Sequence, residues 1–328
     1  MRAAVMTAPG VVEIASLDDP VPGPGEVVLD VAAVGLCGTD LHVLAGEHGR
    51  LPVVPGHEVT GTVVALGSGV DRLRVGDRVA VDPNLPCRAC RWCRSGRENL
   101  CPDLGALGVT TTGGAAELMA APAASCVVLP DHVDLVAATL VEPLSCAVRG
   151  YDVLASRLGA TVLVYGAGTM GLMMLELAKR TGAVRVDVVD TNAEKLRRAE
   201  LLGCSATAPA AEQLDRGEGW DVVVDATGSA TAIQDGLSRV ARGGTFLQFG
   251  VSAPGDRVEL SPYDVYRREI TVTGSMAVLH SFQRAVDLFA AGVLDPAVFL
   301  TRQAPLEQYR EALDAFARGE GLKTQVLP

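Results

Sequence analysis

Four cysteines, Cys87, Cys90, Cys93 and Cys101, fall within fifteen residues in the spacing C-x2-C-x2-C-x7-C. Two-residue loops bring successive thiolates to one point, and the longer return supplies the fourth corner of the tetrahedron that Zn²⁺ favours. Four thiolates close the coordination sphere, so this metal would hold structure and meet no substrate. The alternative for such a cluster is a disulfide framework. Eight cysteines in 328 residues are too few for one, and Cys37, Cys126, Cys146 and Cys204 show no pairing pattern. Met1 to Val12, broken by Pro9 and Gly10, does not read as a signal peptide, so a reducing, cytoplasmic setting is expected.

A second set of donors lies in Cys37-Gly38-Thr39-Asp40-Leu41-His42 and in Gly56-His57-Glu58. Taken singly, Cys37 fits a buried structural thiol and His57 a core histidine, but both have further polar neighbours in apolar surroundings. Glu142, within Leu140-Val141-Glu142-Pro143-Leu144, is a carboxylate in an apolar run, and a buried carboxylate calls for a cation. A third pattern is G-x-G-x-x-G in Gly166-Ala167-Gly168-Thr169-Met170-Gly171, directly after an apolar strand and at the start of a helix. There the glycines serve a tight turn, close approach to a pyrophosphate and close helix packing, while the helix N-terminus faces the phosphates. Asp190 closes the next strand, nineteen residues beyond Gly171. A carboxylate at that point accepts hydrogen bonds from ribose hydroxyls and repels a 2′-phosphate, which favours NAD over NADP. Lys195, one turn into the following helix, is within reach of the same ribose; a solvated surface lysine fits equally well.

These groups need two kinds of scaffold. Val27 to Val34, Val59 to Leu66 and Arg78 to Asp82 are short β-branched runs between turn signals, so the first half reads as β structure. From about residue 150 apolar strands alternate with helical patterns: Thr161 to Tyr165, helix Thr169 to Thr181, Val184 to Asp190, helix Asn192 to Leu202, Asp221 to Asp225, helix Ala230 to Ala241, Thr245 to Phe249. That alternation implies βαβ units and a parallel sheet covered on both faces. After Ile270 to Gly274 and a helix from about His280 to Ala291, the short tail is expected to return to the first domain. The expected division is 1–148 with 284–328, carrying a zinc lobe at 84–104, and 149–283.

Lys plus Arg number 28 against 39 Asp plus Glu, a balance of −11 that disfavours nucleic acid or an anionic membrane as partner. Leu158 to Leu175 runs eighteen residues without a charge. Its glycines mark it as a buried strand entering a buried helix, not a membrane span. Arg88, Arg91, Arg94 and Arg97 read as a solvated rim of the zinc lobe.

With these motifs in this order, the chain resembles the zinc-dependent medium-chain dehydrogenases, most closely their polyol branch of sorbitol and arabitol dehydrogenases. The resemblance covers nearly the whole chain. It implies an α/β protein with a GroES-like catalytic domain, a Rossmann NAD-binding domain, and two zinc ions per subunit. By position, Cys37 and His57 match zinc ligands, and Glu58 and Glu142 match carboxylates that bind the metal directly or through its water. Asp40 matches the acceptor that orients the histidine. Thr39, the cofactor ribose and His42 match a proton relay to solvent. Thr227, Gly250, Val251, Ser275 and Met276 match cofactor-lining positions. The resemblance also implies a homodimer or homotetramer, joined at the edge strand Ile270 to Thr273.

Sorbitol dehydrogenases commonly carry a tyrosine and an arginine where this chain has Val43 and Ala277, so the implied substrate is a polyol of open identity. Threonine and vicinal-diol (butanediol) dehydrogenases are the nearest competitors. A catalytically silent NAD-binding protein is the competitor of another class, although it would have no need of a relay.

Overall fold

A computed structural model describes residues 1–154 and 158–328. The chain divides into Met1–Ser145 with Val278–Pro328, and Cys146–Ala277. The first joint lies inside the helix Val141–Asp152, so no turn signal marks it in the sequence.

The first unit opens with a hairpin, β1 (Arg2–Ala8) and β2 (Val11–Ser16), turned at Gly10 with φ +78°. Then come β3 (Glu26–Gly35), α1 (Gly38–Ala45), β4 (Glu58–Leu66), β5 (Arg78–Val81), β6 (Leu118–Pro122), β7 (Cys126–Val128) and α2 (Val141–Asp152). The second unit follows with β8 (Thr161–Tyr165), α3 (Thr169–Arg180), β9 (Arg185–Val189), α4 (Ala193–Leu201), β10 (Ala206–Ala208), β11 (Trp220–Asp225), α5 (Ala230–Arg239), β12 (Val240–Gln248), α6 (Pro262–Arg268) and β13 (Thr271–Gly274). The chain then rejoins the first unit through α7 (Phe282–Ala290), β14 (Leu300–Pro305), α8 (Tyr309–Ala317) and β15 (Lys323–Leu327).

In the first unit the sheet runs β14-β15-β3-β4-β5-β7, with β6 also on β3. β15, at the end of the chain, pairs antiparallel with β3, placing Gln325 opposite Gly35. The core between these strands is aliphatic, with Val27, Leu29, Val34, Val63, Leu306 and Leu313 among its fully or nearly fully buried members. Such burial contributes about 1.5–3 kcal/mol per large side chain.

In the second unit six parallel strands lie in the order β10-β9-β8-β11-β12-β13. Numbered within the unit this is 3-2-1-4-5-6, the doubly wound dinucleotide-binding order, with its reversal between β8 and β11. All of β8 is buried, as a central parallel strand requires. Trp220 is sealed in this core, its indole N–H donating to Asp187 Oδ2 at 2.8 Å. The helix expected to reach Ala241 stops at Arg239, because Val240 already belongs to β12. Leu158 to Leu175 resolves into β8 and the start of α3. No helix among the described residues is long and apolar enough to cross a membrane.

Candidate active site

Where β3 ends, Cys37 caps α1 with extended backbone (φ −131°, ψ 161°). Asp40, three residues on, returns its Oδ2 to accept the Cys37 N–H at 2.8 Å. Its other oxygen, Oδ1, lies 3.8 Å from Nδ1 of His57. A single fully buried carboxylate thus fixes the backbone of Cys37 and places its second oxygen near the His57 ring without hydrogen-bonding it.

Gly56 carries φ +92°, and any side chain there would strike Val34. Glycine is therefore required just before His57. Glu58 opens β4 opposite Gly35, and a Cβ on Gly35 would run into Glu58 Oε2. The bare position makes room for the carboxylate. Glu58 Oε1 accepts from Lys323 Nζ at 2.5 Å, and the same ammonium donates to Leu36 O at 3.0 Å. Both residues of this ion pair are buried.

Cys37, His57 and Glu58 bring one donor atom each to within 4.8 Å of one another. An ion about 2.0–2.3 Å from each donor would close that span with small side-chain movement. Glu142 is buried nearby on α2 but is not gathered into this group. The Thr39 hydroxyl lies 3.8 Å from Cys37 Sγ, beside the cluster. His42 stands in the last turn of α1 and is half-exposed.

The surroundings favour positive charge. Burial opposes protonation of His57, yet the Cys37 hydrogen bond and the charges of Asp40, Cys37 and Glu142 raise its pKa well above the ordinary value. Burial likewise opposes the charge on Lys323, and Glu58, Cys37 and Glu142 more than offset it. Burial pushes Glu142 up to about 7 despite the pull of His57. Asp40 Oδ1, His57 Nδ1 and Glu58 Oε2 are buried without hydrogen-bond partners among the described residues. A sulfur, a nitrogen and an unpaired carboxylate oxygen in an anion-rich pocket fit a zinc ion.

Sequence reasoning missed Lys323, Gly35 and Tyr309. Tyr309 is fully buried on α8, where burial and the charges of Asp40 and Cys37 push its phenol far up. Lys323 heads Lys323-Thr324-Gln325-Val326-Leu327, a tail strand whose polar members are buried.

In the lobe, the Cys93 sulfur lies 3.5 Å from that of Cys90 and 4.0 Å from that of Cys87. The four sulfurs all lie within 4.8 Å, close to the ~3.8 Å edge of a tetrahedron with Zn–S bonds of ~2.3 Å. N–H groups of Ala89 and Cys90 draw the Cys87 thiol down to about 7, while desolvation and neighbouring thiols push Cys93 up to about 12. A metal is what would let all four act as thiolates together. Arg91 and Arg97 stack over Trp92, their guanidinium carbons 4.8 and 5.7 Å from the ring centre.

The dinucleotide motif occupies the β8–α3 turn. Gly166 has φ +98°, and a side chain on Gly171 would collide with the Gly166 carbonyl. Gly168 differs: a Cβ there would meet no atom within 4 Å. Its open side is a cradle for a group outside the chain. Gly168 is also the N-cap of α3 and no side chain caps that end, so the N–H groups at Thr169, Met170 and Gly171 can face phosphate. Asp190 Oδ2 accepts from Ala167 N at 2.7 Å and Oδ1 from Asn192 N at 2.8 Å. The cap of α4 belongs to Asn192, which accepts from Glu194 N and Lys195 N. Lys195 is half-exposed in the first turn of α4.

The later strand ends have structural work of their own. Thr227 Oγ1 donates to Asp225 Oδ1 at 2.5 Å, and a side chain on Gly250 would strike Gly228 N. Val251 and Met276 are exposed, and Ser275 Oγ is buried without a hydrogen-bond partner among the described residues.

A GroES-like unit with a mixed-donor metal cluster, joined in one chain to a dinucleotide fold, defines a metal-dependent dehydrogenase. Residues 23–131 match the alcohol dehydrogenase GroES-like domain and residues 169–291 the zinc-binding dehydrogenase domain. The chain belongs to the zinc-dependent medium-chain dehydrogenase family. It is 37% identical to D-arabinitol dehydrogenase 1 of Uromyces fabae, covering 100% of this chain and 97% of that one. It is 36% identical to D-altritol 5-dehydrogenase of Agrobacterium fabrum, over 87% of each chain. A zinc-binding dehydrogenase from Sinorhizobium meliloti 1021, solved bound to NADP, superposes with a TM-score of 0.96 at 33% identity, covering 100% of this chain and 99% of that one.

Proposed function

We propose that this protein oxidises a secondary alcohol of a polyol, an alditol or cyclitol, to the ketone, with NAD as hydride acceptor. The observation that carries this reading is the cluster of Cys37, His57 and Glu58, backed by Asp40 and fitted for a cation. Cys37, His57 and Glu58 would hold the catalytic zinc, with Glu142 as the further carboxylate beside them. When bound, the zinc supplies the Lewis acidity that makes an alkoxide accessible near neutral pH. Thr39 bonds the substrate oxygen from its place beside Cys37 and takes the hydroxyl proton, and His42 passes that proton to solvent. Gly168 and the uncapped start of α3 hold the pyrophosphate, and Asp190 the adenosine ribose. Thr227, Gly250, Val251, Ser275, Met276 and Lys195 belong to this reading as the outer lining of the cofactor site.

Although the Sinorhizobium protein was solved with NADP, a carboxylate at Asp190 supports NAD here, since it would repel a 2′-phosphate. Against threonine as substrate, the amino-acid carboxylate would need a cation near the metal, and Lys323 is already committed to Glu58 and Leu36. The edge strand β13 exposes Thr271, Val272 and Gly274, and α6 exposes Tyr263 and Tyr266. Pairing of two such edges supports a homodimer, or a tetramer built from it. The free cysteines of the lobe support residence in the reducing cytoplasm.

A spectrophotometric screen for NAD reduction across C4 to C6 polyols, inositols, 2,3-butanediol and threonine tests the assignment. A polyol should give the highest kcat/KM, with NADP much poorer. Threonine or butanediol in first place would replace the substrate, and no reduction with any alcohol would leave a silent NAD-binding protein.

A further inference from the structure

At the C-terminal end of α1, whose N-cap is Cys37, the structure forms a carboxylate–imidazole pair between Glu47 and His42. α1 ends at Gly46, whose left-handed φ of +74° turns the chain back across the last helical turn. The next two residues close on one carbonyl: Glu47 N–H donates to His42 O at 3.0 Å and His48 N–H to the same oxygen at 3.4 Å. Folded back in this way, the Glu47 side chain meets the His42 ring, with Oε2 2.6 Å from Nδ1. Glu47 is thus tied to His42 through backbone and side chain together. The His48 ring covers a flank of the imidazole, its centre 5.2 Å away.

A carboxylate offers only acceptors, so the hydrogen of this bond belongs to Nδ1 and the neutral ring keeps its lone pair on Nε2. Both side chains are about half-exposed, which screens their charges but leaves the hydrogen-bond geometry intact. We propose that Glu47 is a positioning residue of the proton relay, holding His42 in its Nδ1–H tautomer so that Nε2 is the accepting atom. The proton lost by the alcohol ends on Nε2, giving an imidazolium stabilised by Glu47, and then passes from Nε2 to water. The Nδ1 hydrogen stays in place throughout, so each turnover returns the ring to its starting tautomer. A free imidazole prefers the opposite tautomer, whose Nε2 already carries hydrogen and cannot accept.

This proposal rests on the relay assigned to His42, and the test separates the two. The zinc-loaded chain, labelled with ¹⁵N at its five histidines, is measured by long-range ¹H–¹⁵N correlation, with His42→Gln identifying the His42 signals. The wild type should show His42 as the Nδ1–H tautomer, and Glu47→Leu should move it to Nε2–H. In the same variant kcat should fall roughly tenfold, a part of what a general acid–base group contributes. KM for polyol and NAD should stay near wild type, and Glu47→Asp should recover part of the rate. A wild-type His42 carrying its hydrogen on Nε2, or an unchanged tautomer in Glu47→Leu, overturns the pairing. If the tautomers behave as expected but His42→Gln turns over at the wild-type rate, the relay falls and the role of Glu47 falls with it.

Discussion

In the zinc lobe the first and last ligands are fourteen residues apart, and backbone N–H groups of the same short loops address the sulfurs. The cluster of Cys37, His57 and Glu58 is put together from distant pieces. Cys37 comes from the β3–α1 junction and His57 from the entry to β4, while Lys323, which neutralises Glu58, is 265 residues away in sequence. The lobe uses four like donors at a partly exposed site; the second cluster mixes sulfur, nitrogen and oxygen and is largely buried. Local loops are enough to make a closed metal clip. A mixed-donor cluster among several buried acids needs a sheet to set its register.

Substitutions can break this contrast from either side. The largest effect is expected for His57→Ala, which should cut turnover roughly a thousandfold or more by removing the metal's Lewis acidity. Elemental analysis should find the lobe zinc retained, and loss of both zincs would show that the two clusters are not independent. Lys323→Met leaves Glu58 buried without its cation and should destabilise the fold by about 3–5 kcal/mol, read as a lower urea midpoint, with Lys323→Arg milder. A stability unchanged from wild type would mean that water compensates Glu58. Asp40→Asn keeps the shape but loses the charge behind His57, so affinity for the catalytic zinc should drop about 10–100-fold in chelator competition. Activity should suffer least from Cys90→Ser. That variant should lose the lobe zinc and unfold at lower temperature, while kcat per catalytic zinc stays close to wild type; a collapse of kcat would tie the lobe to the chemistry.

The contrast also explains what could be read in the sequence. The four-cysteine spacing and the glycine motif were legible because each is a local arrangement in which short loops leave few geometries. The parallel-sheet half was legible as well, since β8 and α3 sit where apolar runs and glycines place them. Cys37, His57 and Glu58 could be nominated by type, but their assembly depends on β3 and β4 pairing so that Gly35 faces Glu58. Nothing near Gly35 in sequence announces that role. Lys323 was hidden for the same reason, because its importance arises only when β15 lies beside β3. α1 was not expected at all: its eight residues are too few for a clear apolar period, and its start depends on the return of Asp40 to Cys37. Glu142 stood out as a carboxylate in an apolar run, and the structure buries it without gathering it into the donor group.

The long reach of Lys323 has a consequence for the order in which a new chain matures. On a ribosome adding about 5–20 residues per second, the four cysteines of the lobe emerge together, whereas the 265 residues between Glu58 and Lys323 take roughly 13–53 s. Through that interval His57 and Cys37 already exist but the pocket lacks its fixed positive charge. A nascent chain can therefore carry a finished lobe while Glu58 still waits for its buried partner Lys323.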